Sequence, residues 1–208
     1  ARLIPEIFGW GPEDFFQPES YAWCWSLAHF LRQHPRYRAR FQALGREDRG
    51  TRFAARFREL FGPDTADLST EWALYITNLQ YGYDVARAAI EFQPGQPLAA
   101  PATTTVDIHA DRGWQSSRVE VVAGETYRIT ATGQITLANE PRPWVSEPRG
   151  VTIDYVDGQP LGKLLAAIRS TAPSPTETML RVLPVGPAAT FTAPLTGTVY
   201  LRVNDGWD

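Results

Sequence analysis

Two incompatible hydrophobic periods divide this chain. Before residue 93 the apolar residues recur every three or four positions, as in Tyr21, Cys24, Ala28 and Leu31, or Trp72, Ile76 and Leu79. That spacing places side chains on one face of a helix. After residue 105 they alternate: Val199, Leu201 and Val203 are interleaved with Tyr200, Arg202 and Asn204, the period of a strand with one buried face. Residues 93–105, Gln-Pro-Gly-Gln-Pro-Leu-Ala-Ala-Pro-Ala-Thr-Thr-Thr, carry neither period and read as a semi-rigid linker. The expectation is a multidomain α-then-β chain: a small helical domain over 1–92, the linker, and an antiparallel β-sandwich over 106–208.

The helical half divides at its punctuation. Pro18-Glu19-Ser20 opens a helix, with Ser20 or Glu19 suited to its positive end. Pro35 begins a second that carries Tyr37, Phe41 and Leu44. A third spans about Thr51 to Phe61 and stops at Gly62-Pro63. A fourth starts near Asp67-Leu68-Ser69, and Val85–Phe92 supplies a last turn or two. Arginines crowd the stretch from Arg32 to Arg58, which reads as a solvated helical face.

In the second half, Val106–Ile108, Arg118–Val121, Tyr127–Ala131, Val151–Tyr155, Leu164–Ile168, Met179–Val185, Thr190–Thr192 and Thr198–Asn204 are strand candidates. Short strands at this spacing indicate a sandwich. The continuous apolar run Leu164–Ile168 suits a strand buried on both faces. The closing strand has no return strand after it, and the first residue is Ala1, so the chain is expected to be a piece of something longer whose continuation supplies an edge or pairing strand.

Composition narrows the function. A net charge of −3 and a pI near 5.7 provide no basic field for nucleic acid or anionic membrane. No apolar run approaches the roughly 20 residues of a membrane-spanning helix. Cys24 is the single cysteine, so there is no internal disulfide and no cysteine-based zinc site. Between two tryptophans it reads as a small apolar residue rather than a nucleophile. His29 and His34 lie one residue off the spacing that aligns two ligands on a helix, and Pro35 follows directly. His29 is expected to pack against aromatic neighbours. The chain contains no His-Glu-x-x-His, no phosphate-binding glycine loop and no Gly-x-Ser-x-Gly elbow, so this chain is expected not to be catalytic by itself. Asn204-Asp205-Gly206 at the end of the last strand reads first as a turn, with the start of an oxygen-rich metal loop as the alternative. Asp154 and Asp157 beside Gly158 read as a solvated turn. Trp114 and Trp144 suit core or rim packing, with sugar stacking as the alternative.

Two family resemblances add to this reading. Tyr21-Ala22-Trp23-Cys24-Trp25-Ser26-Leu27-Ala28-His29-Phe30-Leu31, with Phe61-Gly62-Pro63-Asp64 and Leu68-Ser69-Thr70-Glu71-Trp72, resembles the helical tail of gluzincin-type metallopeptidase-like proteins over residues 18–80. In those proteins the zinc ligands lie upstream, and no position here matches them. The stretch Gly124–Gly133, then Pro148-Arg149-Gly150, Leu164–Ile168 and Leu201–Asp205, resembles the calcium-dependent bacterial galactose-binding lectins of the PA-I type over residues 106–208. That resemblance implies a jelly-roll-like sandwich holding one calcium ion, to which sugar hydroxyls coordinate directly. Asp205 matches the family's calcium-binding aspartate, and Leu137 matches a position that gives calcium its backbone carbonyl. Glu147 and Arg149 fall near the family's sugar-contacting His and Gln, with altered chemistry and one residue fewer in the loop. The further ligands of that family come after the position of Asp208.

The leading expectation is a calcium-dependent carbohydrate-binding module of a larger secreted or cell-envelope protein, with a glycan partner. The alternative is the non-catalytic part of a zinc metallopeptidase, with the sandwich as a structural or protein-contact domain.

Overall fold

The computed structural model describes residues 2–47, 52–98, 101–172 and 181–206. Helices precede strands, and the chain forms two compact units that part between Ala89 and Ile90.

The helical unit contains α1 (Ile4–Ile7), α2 (Pro18–Gln33), α3 (Arg38–Glu47), α4 (Phe53–Phe61), α5 (Thr65–Asn78) and α6 (Val85–Ala88), with 3-10 turns at Pro12–Phe16 and Gly62–Asp64. Helix α2 begins earlier than its capping residues suggest. Pro18 takes the first helical position and Gln17 the extended cap, because proline's fixed φ suits a position whose N–H has no helical partner anyway. Ser20 is buried instead of capping, and Glu19 accepts a hydrogen bond from Trp23 Nε1 at 3.2 Å. Helix α5 also starts before Asp67. The 3-10 turn feeds directly into it, and Thr65 Oγ1 donates back to Gly62 O at 2.8 Å. The expected start of α4 at Thr51 lies outside the described residues.

Phe30 on α2 is the centre of the helical core. Its ring lies 5.9 Å from that of Trp72, 5.1 Å from Tyr75 and 6.2 Å from Tyr37. Leu27, Leu31, Phe57, Phe61 and Leu68 are buried around it. Each such side chain contributes about 1.5–3 kcal/mol on leaving water, so aromatic burial and not intrinsic propensity holds these short helices.

The second unit is built on one sheet in the order β1 (Gln96–Pro97), β2 (Gln115–Val121), β10 (Gly197–Val203), β7 (Gln159–Ser170), β6 (Arg149–Val156), with β8 (Arg181–Pro184) also pairing β7. Two further pairs stand apart from it: β3 (Thr126–Thr130) with β9 (Ala188–Thr192), and β4 (Ile135–Ala138) with β5 (Trp144–Ser146). Among the described residues every strand ladder except β1–β2 is antiparallel, and an isolated Glu91–Gln115 bridge beside β1 is also parallel. The run Leu164–Ile168 lies mid-sheet and is buried on both faces. Leu164, Ala166 and Ile168 join Val199, Leu201 and Val121 on one face, where Tyr127, Ile129 and Phe191 pack over them. On the opposite face Phe92 lies 6.1 Å from Tyr200, and the Arg169 guanidinium sits over the Phe92 ring.

Three expectations change. The first part of the expected linker belongs to the sheet: Gln96 and Pro97 pair in parallel with Val119 and Glu120. Gly95 makes this possible, since a Cβ there would fall 2.5 Å from Glu120 N. Val106–Ile108, expected as a strand, lies in no ladder among the described residues. Strands β1, β4 and β5 were not expected at all, because their two to four residues are too short for alternation to register. Of the stretch Met179–Val185, residues 181–184 form β8 and 179–180 lie outside the described residues.

Candidate functional site

The four residues singled out by the lectin resemblance come from three places in the β unit. Leu137 is half-buried in β4, Glu147 lies exposed between β5 and β6, Arg149 opens β6, and Asp205 follows the end of β10. What gathers them is the segment Gly162–Leu164 of β7. Gly162 N donates to Asn204 O at 2.6 Å, and Asn204 N donates to Lys163 O at 2.8 Å. Arg149 pairs with Lys163 across β6–β7, and Leu164 N donates to Pro148 O at 2.9 Å. Gly162 has φ +79, and a Cβ on it would collide with Ser146 and lie 3.4 Å from Leu137 Cδ2. A side chain at 162 would therefore push β4 and β5 away from this end of the sheet.

Asn204 fixes the position of Asp205. It is fully buried, and its Nδ2 lies 3.0 Å from Val156 O, 3.0 Å from Gln159 O and 3.1 Å from Pro160 O. These carbonyls flank the tight β6–β7 turn at Asp157 and Gly158, both at positive φ, the geometry that twisted hairpins favour. Three acceptors on Nδ2 settle which end of the amide is nitrogen. Asn204 Oδ1 is buried with no hydrogen-bond partner among the described residues, and such an orphan oxygen costs about 1–3 kcal/mol. Among the described residues no three His, Cys, Asp or Glu side chains converge as a metal cluster. Asp205 and Asn204 carry oxygen groups of the kind hard cations prefer, and Asp205 already has a partner within the protein.

Glu147 and Arg149 engage each other, Nε to Oε2 at 3.4 Å, with both side chains more than half exposed. Arg149 therefore reaches solvent with its remaining guanidinium donors. Trp114 is buried, and the Arg202 guanidinium lies 5.1 Å above its ring. Trp144 is half-buried in β5.

The helical unit holds a different polar cluster, which sequence reading overlooked. His34, Tyr37 and Glu71 are all buried. Glu71 Oε1 meets His34 Nε2 at 3.0 Å, and Tyr37 Oη donates to Glu71 Oε2 at 2.7 Å. Arg36 N donates to His34 Nδ1 at 3.2 Å, which leaves the ring proton on Nε2, facing Glu71. Arg36 also approaches Glu71 and Asp67, at 3.9 and 3.4 Å. Burial first, then the Glu71 carboxylate, raises the Tyr37 hydroxyl far above its ordinary pKa. The signal was present: Glu71 falls on the same helical stripe as Leu68, Trp72 and Tyr75, and a carboxylate on a buried stripe demands partners. His29 packs as expected, its ring 5.2 Å from Trp25 and its Nδ1 3.1 Å from Tyr75 Oη. Cys24 is half-buried, and burial raises its thiol pKa. No helix among the described residues is long and apolar enough to cross a membrane.

Comparison of the chain with protein-family models, with curated proteins and with solved structures returned no match.

Proposed function

We propose that the β unit is a jelly-roll-like, calcium-assisted carbohydrate-binding module, working outside the cytoplasm as part of a larger secreted or envelope protein. One observation carries the reading. Leu137, the Glu147–Arg149 segment and the residue before Asp205, reached from three parts of the unit, border Gly162–Leu164, and the amide oxygen of that residue, Asn204, is buried with no hydrogen-bond partner among the described residues.

Asp205 and the Leu137 carbonyl are the protein oxygens assigned to calcium, and Asn204 holds Asp205 in place. Calcium takes six to eight oxygens, so these two leave room for sugar hydroxyls and further protein oxygens. The ion supplies a charge that two neighbouring hydroxyls can share. Exposed Glu147 and Arg149 are placed to accept from and donate to the same sugar.

The test is a thermal melt with calcium and then with chelator, on the wild type and on Asp205→Ala. A cation that binds only the folded state at a hundredfold over its Kd stabilises by about 2.7 kcal/mol. A rise that chelator reverses and Asp205→Ala abolishes supports the site, and a galactoside titration then tests sugar binding. An unchanged melt in excess calcium overturns the reading.

A further inference from the structure

One cavity of the β unit, of about 540 Å³, has the form of a missing strand. Its floor is the apolar inner face of the large sheet, including Val119, Leu164, Val199 and Leu201. One wall is β3 and the residues after it, and the other is the stretch 102–108, which belongs to no helix or strand. Both walls offer unused backbone groups. Ala193 N donates to Glu125 O, and Ala131 N donates to Pro187 O. In the same register Tyr127 faces Phe191 and Ile129 faces Ala189, so the odd-numbered residues of β3 spend their hydrogen bonds on β9. Strand geometry then points the N–H and C=O of Thr126, Arg128 and Thr130 the other way. No backbone hydrogen bond from the described residues reaches those three, or any of 102–108. Yet Thr103, Thr104, Thr105, Val106 and Ile108 are strand-forming types, and Ile108 already packs on the core.

An apolar small molecule would fill the floor and leave two rows of donors and acceptors unanswered. A peptide strand answers both and adds alternate side chains to the floor. We propose that the slot between β3 and 102–108 takes an extended peptide of a partner chain, with apolar residues at alternate positions. A second copy is a poor donor: among the described residues its strand-forming stretches already pair within a sheet, apart from 102–108 itself, which forms the slot. One end of the cavity is lined by Glu147 and Gly162, which border the proposed calcium and sugar site, but backbone pairing with a peptide needs no ion, so the calcium melt and the peptide titration fail independently.

The probe is a synthetic seven-residue peptide of alternating valine and threonine with a lysine at each end. The control carries proline at alternate positions, which removes half of its N–H donors. Saturable binding of the first and not the second is expected by fluorescence anisotropy, with amide exchange at Arg128, Thr130 and Val106 slowed about tenfold or more. Arg128→Pro removes one outward N–H while sparing the β3–β9 ladder, as edge strands tolerate. It should weaken the peptide about tenfold without moving the melt. Equal binding of the two peptides, or no binding by either, overturns the proposal. So does a dimer in light scattering whose Arg128 and Thr130 amides are already protected, because a second copy would then fill the slot.

Discussion

The two units bury polar groups in opposite ways. In the helical unit the Glu71 carboxylate is closed on both oxygens, one by His34 and one by Tyr37, and no face of the cluster opens to solvent. In the β unit Asn204 is pinned through its nitrogen to three carbonyls while its oxygen stays unanswered, one residue from a half-exposed carboxylate. A closed network fixes how helices pack. An open one keeps an oxygen available and loses stability until a partner arrives.

The sharpest way to break this contrast is to open the closed cluster. Glu71→Ala leaves the His34 N–H and Tyr37 hydroxyl buried without an acceptor and should cost the helical unit about 3–5 kcal/mol. Chemical denaturation followed by tryptophan fluorescence checks this, since Trp23 and Trp72 lie in the same core. A loss under about 1 kcal/mol would mean that water or rearrangement satisfies both groups, and the cluster would not be closed.

Asn204→Ala comes next. It removes the donor to Val156, Gln159 and Pro160 but also deletes the orphan oxygen, so the expected loss is smaller, about 2 kcal/mol. The calcium response should disappear with it, because Asp205 loses its anchor. A stable Asn204→Ala variant with calcium response intact would separate the amide from the site.

How much of this was legible beforehand follows from the length scale of each feature. The change from helical to alternating period, and the buried run Leu164–Ile168, extend over many residues and show in a single sequence. Glu71 was visible only as one polar residue on an apolar stripe, and its partners His34 and Tyr37 arrive from another part of the chain, which no local period reports. The linker reading failed at Gln96 and Pro97 because a parallel bridge to β2 depends on Gly95 approaching Glu120, a tertiary event. Strands β4 and β5 escaped for the same reason. They are held by the space that Gly162 leaves for Ser146 and Leu137 rather than by a pattern of their own.

Tyr37→Phe tests the closed cluster more gently. It should cost about 1 kcal/mol near neutral pH by deleting one bond to a carboxylate. It also isolates a pH effect of known sign. The folded state raises the Tyr37 pKa above its ordinary value of 10.0, so folding favours the protonated hydroxyl. That stabilisation is fully present below pH 10 and is lost as pH climbs beyond it. Wild-type stability should therefore fall above about pH 10 more steeply than that of Tyr37→Phe. Parallel alkaline limbs for the two proteins would show that Tyr37 titrates as freely folded as unfolded.

The smallest effect expected is the most diagnostic for the open cluster. Asp205 is half-buried at the end of β10, beyond the last ladder pair at Val203 and Leu164. Asp205 has a partner within the protein, so without calcium Asp205→Ala should cost about 0.5 kcal/mol, the worth of one partly exposed polar contact. With calcium, wild type and variant should part by the full binding free energy, since only one of them holds the ion. A residue that matters little to the fold and wholly to the ion behaves as a ligand. If the chelated variant instead lost 2 kcal/mol or so, Asp205 would be a structural turn residue, and the two units would differ only in how completely they satisfy the same kind of buried polar group.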